Sequence, residues 1–324
     1  MSEPELPSAS PYHPGEQAMQ ARAGVRERAE MMGRRMIRAF MPDQHREFFA
    51  MLPWLLVGSL DAQDRPWASV LVGPPGFIAS PDPHSLQVAA RPLAGDPLAA
   101  HLRAGAPLGL LGIQPETRRR NRMNGTVGTV WRDGFAVTVG QSFGNCPQYI
   151  QARVPFFAPP PAERTVHAED SLLSAEATAL IDRADTFFIA SAGPGARAGN
   201  VAEGVDVSHR GGRPGFVNLT EAARRSVLTA PDFAGNNAFN TLGNIAANPR
   251  AGITFVDFAT GDVLMLTGTA EVIWDGPELA SFAGALRLLR FTVAEGVRLA
   301  RALPLRWSAP EYAPQLARTG AWSS

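Results

Sequence analysis

The chain has 324 residues, 45% hydrophobic and 19% charged, which is enough for two ordinary globular domains, each with its own core. Lys+Arg and Asp+Glu number 30 each, so no net field draws the chain to nucleic acid or to an anionic membrane surface. All the basic residues are arginine, which excludes a lysine aldimine to pyridoxal phosphate and leaves any bound phosphate to arginine, backbone N–H groups, hydroxyls and amides.

In chain order, Met1–Pro14 is rich in Pro and Ser and is expected to be mobile; it lacks the basic start and apolar core of a signal peptide. Residues Gly15 to Phe40 carry helical spacing with few breakers, and a short helix follows over Asp43–Leu52, ending before Pro53. Six strand-like runs come next: Trp54–Leu60, Pro66–Gly73, Ser85–Ala90, Leu108–Ile113, Arg122–Trp131 and Gly134–Phe143. Ala158–Asp170 reads as a proline-rich polar bridge, after which a helix near Ser171–Ala184 and a second strand series follow. No apolar run approaches the ~20 residues that span a bilayer, so a cytoplasmic location is expected by default.

The second series repeats the first. WLLVGS (54–59) returns as TFFIAS (186–191), SVLVGPPGFI (69–78) as SHRGGRPGFV (208–217), and LAGDPLAAHL (93–102) as FAGNNAFNTL (233–242). GLLGI (109–113) parallels GITFV (252–256), MNGTV (123–127) parallels LTGTA (266–270), and VTV (137–139) parallels FTV (291–293). Six matches in one order argue for a duplicated domain, with the halves standing where the subunits of a symmetric dimer would stand. The expected layout is an N-terminal helical extension over 1–40, a first barrel over 41–157, a linker over 158–170 and a second barrel over 171–324.

Differences between the copies single out candidate site residues. Val70-Leu71-Val72 becomes His209-Arg210-Gly211, and Asp96-Pro97 becomes Asn236-Asn237 ahead of a helix. Asparagine is a good N-cap and a helix start offers free N–H groups, so Ser208, Arg210, Asn236, Asn237 and Asn240 form a candidate monophosphate cradle. In the first copy Asp96 would repel the same anion, so one site per chain is expected. His209 has two readings, a proton donor or hydrogen-bond partner at the ligand, or a solvent-facing ring. Trp67 and Phe239 either stack on a flat ring or belong to the core.

The run Arg118-Arg119-Arg120-Asn121-Arg122 lies on a strand, where alternation sends some arginines to the cleft between the halves and others to solvent. A single cysteine, Cys146, excludes an intrachain disulfide and any Cys-ligated cluster; its own readings are a small buried hydrophobe or a nucleophile. The remaining histidines lack metal-ligand spacing, so no metal is expected.

DVSHRGGRPGFV (206–217), PDFAGNNAFNTLGNIAANPRAGITFVDF (231–258), GDVLMLTGTAEVIW (261–274), ETRRRNRMNG (116–125) and SFGNCPQYIQAR (142–153) together resemble the pyridoxamine 5′-phosphate oxidase-related family of FMN-binding split barrels. The resemblance implies a mainly β (α+β), pseudo-dimeric chain with two tandem split β-barrels and accessory helices. It implies FMN, with Ser208, His209, Arg210, Asn236, Asn237, Phe239 and Asn240 as its binding residues and the isoalloxazine between the barrels. His209 is the best catalytic candidate. The Trp/Arg/His-rich C-terminal segment of authentic pyridoxamine phosphate oxidases has no counterpart in Ala302–Trp322, so that activity is not expected. The expected function is a flavin-dependent oxidoreductase acting on a small molecule or exchanging electrons with a separate reductase. The alternatives are a non-catalytic flavin or haem binding or redox-sensing protein, and a barrel that takes a deazaflavin. As partners, neither nucleic acid nor a membrane is expected, and the chain is a monomer or a homodimer.

Overall fold

The computed structural model of the chain describes residues 9–159 and 163–322. Three helices come first, α1 (Pro14–Arg22), α2 (Arg26–Met36) and α3 (Asp43–Ala50). The helix expected over Gly15–Phe40 is therefore two, separated by a turn at Ala23–Gly24. The expectation of a mobile Met1–Pro14 falls partly outside the described residues. Within it, Tyr12 and His13 are buried, and His13 caps α1 by accepting the Gly15 N–H at 3.1 Å.

The first sheet contains β1 (Trp54–Leu60), β2 (Pro66–Val72), β3 (Ile78–Ala79), β4 (Ser85–Val88), β5 (Pro107–Gln114), β6 (Arg119–Trp131) and β7 (Gly134–Gly144), with α4 (Leu98–His101) before β5. Then come β8 (Pro155–Phe157), β9 (Thr165–Glu169), α5 (Ala175–Arg183), β10 (Thr186–Ser191), β11 (Asp206–Gly211), β12 (Asn218–Ala222) and β13 (Arg225–Asp232). The chain continues through α6 (Asn240–Ala247), β14 (Arg250–Val256), β15 (Val263–Ile273), α7 (Pro277–Ala280), β16 (Arg287–Ala300) and β17 (Leu305–Trp307).

The strand orders are β2-β1-β5-β6-β7-β4-β3 and β11-β10-β14-β15-β16-β13-β12, the same topology twice. Each of the six sequence matches falls on an equivalent pair of elements. The fold is mainly β, two split barrels in tandem with accessory helices.

The polar bridge expected over Ala158–Asp170 is in part a strand. β16 overruns β13, which pairs only with Arg287–Thr292, and β9 covers the remaining edge at Gly296–Ala300. Among the described residues no helix is long and apolar enough to cross a membrane.

Alternation explains the two apolar opening strands. β1 sends Leu55 and Val57 into its own barrel and Trp54 and Leu56 toward the other half; β10 does the same with Phe187 and Ile189 against Phe188 and Ala190. Both faces are buried, so both strands read as unbroken hydrophobic runs. The shared core that results joins Trp54, Leu56 and Val70 to Phe188, Val207 and Met265.

The interface is reciprocal. A Cβ on Gly109 would lie 2.3 Å from the Val205 carbonyl oxygen, and a Cβ on the equivalent Gly252 would lie 2.3 Å from the Pro66 carbonyl oxygen. Val205 and Pro66 are themselves equivalent positions. Two matching backbone contacts of this kind are what a two-fold dimer interface leaves behind when its subunits are fused.

Candidate functional site

One cleft collects residues from both barrels, with about 880 Å³ of empty space including its open mouth. It brings together Ser208, His209, Arg210, Asn236, Asn237, Phe239 and Asn240, all the residues singled out in the second half. The first half adds Arg120 and Arg122 from β6 and the segment Asn145, Cys146, Gln148 and Tyr149; Asp232 and Arg287 complete the wall.

Strand register decides which arginines arrive. Arg120 and Arg122 lie opposite Ile113 and Leu111, on the face of the first sheet that meets the second barrel. Arg119, on the other face, sits with its guanidinium 5.0 Å from the Phe48 ring centre, and Arg118, just before the strand, pairs with Glu311. The alternation expected for the arginine run delivers two cations to the cleft.

On the facing strand β11, Ser208 and Arg210 lie opposite Ile189 and Phe187 and share their face. His209 lies opposite Phe188, with the two rings edge to face at 5.8 Å, on the face packed against the first barrel. Burial, with Arg120, Arg210 and Arg153 nearby, holds its imidazole well below the usual range, so the ring is neutral. Its backbone carbonyl accepts from Arg120 at 3.3 Å. A solvent-facing ring is ruled out, and the strand pleat turns the side chain away from Ser208 and Arg210. This geometry does not favour His209 as a proton donor to a ligand lying beside them.

Ser208 Oγ accepts from Thr241 at 2.9 Å and from Arg122, which leaves its own proton free for an acceptor in the cleft. Arg122 also donates to Asn240 Oδ1 at 2.9 Å and lies 3.1 Å from Asp206, while its buried Nε has no protein partner. Arg210 pairs with Asp232 at 2.7 Å and likewise keeps an unpartnered Nε. Asp232 also holds Arg287 at 2.8 Å.

Arg120 differs from the other three. Its donors reach the Cys146 carbonyl at 2.6 Å and the His209 carbonyl, and among the described residues no carboxylate pairs with it. Burial, together with Arg122 and Arg210, brings its guanidinium down to about 10.

Helix α6 starts beyond both asparagines expected to cap it. Phe239, not Asn236 or Asn237, is its N-cap, and no side chain caps the first turn. Asn236 instead accepts the Ala238 N–H at 3.1 Å and shapes the loop. Asn237 and Phe239 hold φ of 60° and 64°, left-handed values that a bulky side chain adopts only when its surroundings impose them. Asn240, Thr241 and Leu242 bring the uncapped helix start to the cleft wall.

Phe239 is not a free stacking surface, since Arg287 lies 4.8 Å from its ring centre and 5.0 Å from that of Trp274. Trp67 lies outside the cleft, buried at the barrel interface with its indole N–H on Asp61. The aromatic wall is the pair Tyr149 and Phe233, stacked at 4.9 Å. Sequence reasoning missed Tyr149, Asp232 and Arg287. The first two lie inside segments already noted, but nothing near Arg287 marks it out.

No protein-family model and no curated protein matches the chain. Three solved structures similar to it are HutZ, the haem storage protein of Vibrio cholerae, a pyridoxinephosphate oxidase-family protein of Clostridium acetobutylicum related to general stress protein 26, and a FAD-binding protein of Mesorhizobium loti. HutZ is 14% identical over 38% of this chain and 90% of its own, with a TM-score of 0.25. The Clostridium protein is 14% identical over 41% and 91%, at 0.26, and the Mesorhizobium protein 15% over 42% and 98%, at 0.25. The two sheets repeat one strand order, so the chain carries its split-barrel fold twice.

Proposed function

We propose that the cleft binds one FMN per chain and that the protein is a flavin-dependent oxidoreductase, acting on a small molecule or exchanging electrons with a separate reductase. The observation that carries this reading is the convergence of four arginines from both barrels on one cleft. Asp232 and Asp206 answer two of these charges, which leaves two positive charges unmatched. A phosphate monoester brings about −1.5 to −2 at neutral pH.

The donors fit such a group. The unpartnered Nε atoms of Arg122 and Arg210, the free Ser208 proton and the first N–H groups of α6 would hold the phosphate, with Asn236, Asn237 and Asn240 shaping the approach. Tyr149, Cys146 and Arg120 line the side of the cleft supplied by the first barrel, where the isoalloxazine would lie. Bound flavin supplies hydride or electron transfer at its ring; the protein supplies orientation, exclusion of water and positive charge beside the ring. A haem in the same place is less well served, because His209, the one histidine lining the cleft among the described residues, turns its ring to Phe188.

The test is to purify the protein, record its absorption and weigh the released ligand. Absorption near ~450 nm with FMN released, bleaching when NADPH is added anaerobically with or without a reductase, is the expected result. A Soret band, or protein that stays colourless after incubation with FMN, refutes the reading.

A further inference from the structure

We infer that the N-terminal helix is a working part of this anion site: Glu16 is a positioning residue that aims Asn240 at Arg122, and it weakens anion binding when it is itself ionised. The inference rests on the anion-binding reading of the cleft.

Glu16 belongs to α1, outside both barrels, yet it is only 2% exposed. One carboxyl oxygen accepts the His13 N–H at 2.8 Å and the other accepts from the Asn240 side-chain amide. The opposite end of that amide accepts from Arg122 at 2.9 Å. Asn240 is thus held at both ends, its oxygen by the donor-only arginine and its nitrogen by Glu16, which fixes the side chain in place. Gln20, one turn further along α1, donates to the Ala238 carbonyl at 3.0 Å and pins the loop ahead of α6. The two helices touch backbone to backbone, since a Cβ on Gly15 would lie 2.3 Å from the Gly243 oxygen. The His13 contact completes the capping box of α1, whereas the contact with Asn240 reaches beyond the helix and is not needed for capping.

The charged and titratable groups around Glu16 are His13 on the cap of α1, Asp206 on β11 and Arg122 on β6, with Glu203 acting on His13. Burial first and Asp206 second push the Glu16 carboxyl well above the carboxylate range, and burial lowers the His13 imidazole. Neutral Glu16 leaves the cleft its two unmatched positive charges. Ionised Glu16 removes one of them and places a second carboxylate beside Asp206.

The experiment compares wild type, Glu16→Gln and Glu16→Ala, titrated with FMN by fluorescence and with inorganic phosphate by calorimetry, from about pH 6 to pH 9. The ratio of wild type to Glu16→Gln cancels the titration of the phosphate itself. Glu16→Gln should match wild type at the acid end and bind both probes several-fold more tightly than wild type at the alkaline end. Glu16→Ala should bind roughly tenfold more weakly than Glu16→Gln throughout, and so roughly tenfold more weakly than wild type at the acid end, with a smaller deficit at the alkaline end. Parallel profiles for wild type and Gln, or an Ala variant with wild-type affinity at the acid end, overturn the inference. Should Ala fail to fold, the Gln profile alone decides. Wild type that binds phosphate but not FMN refutes the flavin reading and leaves this one standing; wild type that binds neither removes both.

Discussion

The pseudo-two-fold that relates the barrels also relates the arginine-lined cleft to a twin, and the two have diverged. Ser208 has its counterpart in Ser69, Arg210 in Leu71, Arg120 in Val263 and Arg122 in Met265, and all four counterparts are fully buried. In the cleft Ser208 accepts two hydrogen bonds and keeps its proton free; in the twin Ser69 donates its proton to Asp96 at 2.7 Å. Asp96 also takes the Leu98 N–H at 2.8 Å, so the donors that would meet an anion are already bound to a carboxylate of the protein. The interface contacts at Gly109 and Gly252 remain matched to the tenth of an ångström. Packing has stayed symmetric because both halves still need it. The site has not, because a fused chain needs it only once.

The largest expected effect comes from making the cleft resemble its twin at Arg122. Arg122→Met removes the donor that links Ser208, Asn240 and Asp206, so FMN affinity should fall about 100-fold, roughly 3 kcal/mol. It also leaves Asp206 buried with only the neutral amides of Asn124 and Asn244 beside it, which should cost about 3–5 kcal/mol of stability. Flavin titration and urea unfolding measure the two losses separately. Unchanged flavin affinity in a folded variant would mean that the arginine serves the interface only.

The reverse substitution makes the twin resemble the cleft. Asp96 is 3% exposed, and burial raises its carboxyl from 3.8 to about 6, with one oxygen lacking a partner. Between these two values the unfolded chain releases a proton that the folded chain keeps, so stability falls as pH rises through that window and stays lower above it. Asp96→Asn, which copies Asn236, keeps an acceptor for Ser69 and Leu98 without the buried charge. It should therefore stabilise the protein by about 2–3 kcal/mol at pH 7, with the gain vanishing toward about pH 4. FMN should still bind at one per chain, because Leu71, Val263 and Met265 remain. Melting curves at the two pH values check the first expectation, and ligand stoichiometry the second.

The comparison also shows what could be read without coordinates. The duplication was legible because TFFIAS and SHRGGRPGFV repeat burial patterns that strands on a shared interface must keep. The replacement of Leu71 by Arg210 pointed at the site because a buried apolar strand position rarely becomes charged without a partner. The face of His209 was not legible: it follows from its pairing with Phe188, and the residue types allowed either side. Nor was the start of α6, since Asn236 and Asn237 are as good in a loop as in a cap. Arg287 and Glu16 were beyond reach for a different reason, because each meets the cleft through partners distant in sequence, Asp232 in one case and Asn240 in the other.

The finest distinction concerns Arg120. The other three cleft arginines hold aspartates and so serve stability as well as any ligand. Arg120 holds only the carbonyls of Cys146 and His209, one from each barrel. Arg120→Val, which copies Val263, strands no carboxylate but removes a donor from the Cys146 and His209 carbonyls, so it should cost about 1–2 kcal/mol of stability, less than Arg122→Met. FMN affinity should fall roughly tenfold, about 1.4 kcal/mol, as one unmatched charge leaves the cleft. That weakening should fade with added salt if Arg120 acts by charge at a distance, and persist if it donates directly to the flavin. A variant that loses stability but not affinity would make Arg120 a clamp between the barrels, and the excess positive charge would then have to be assigned to Arg122 and Arg210 alone.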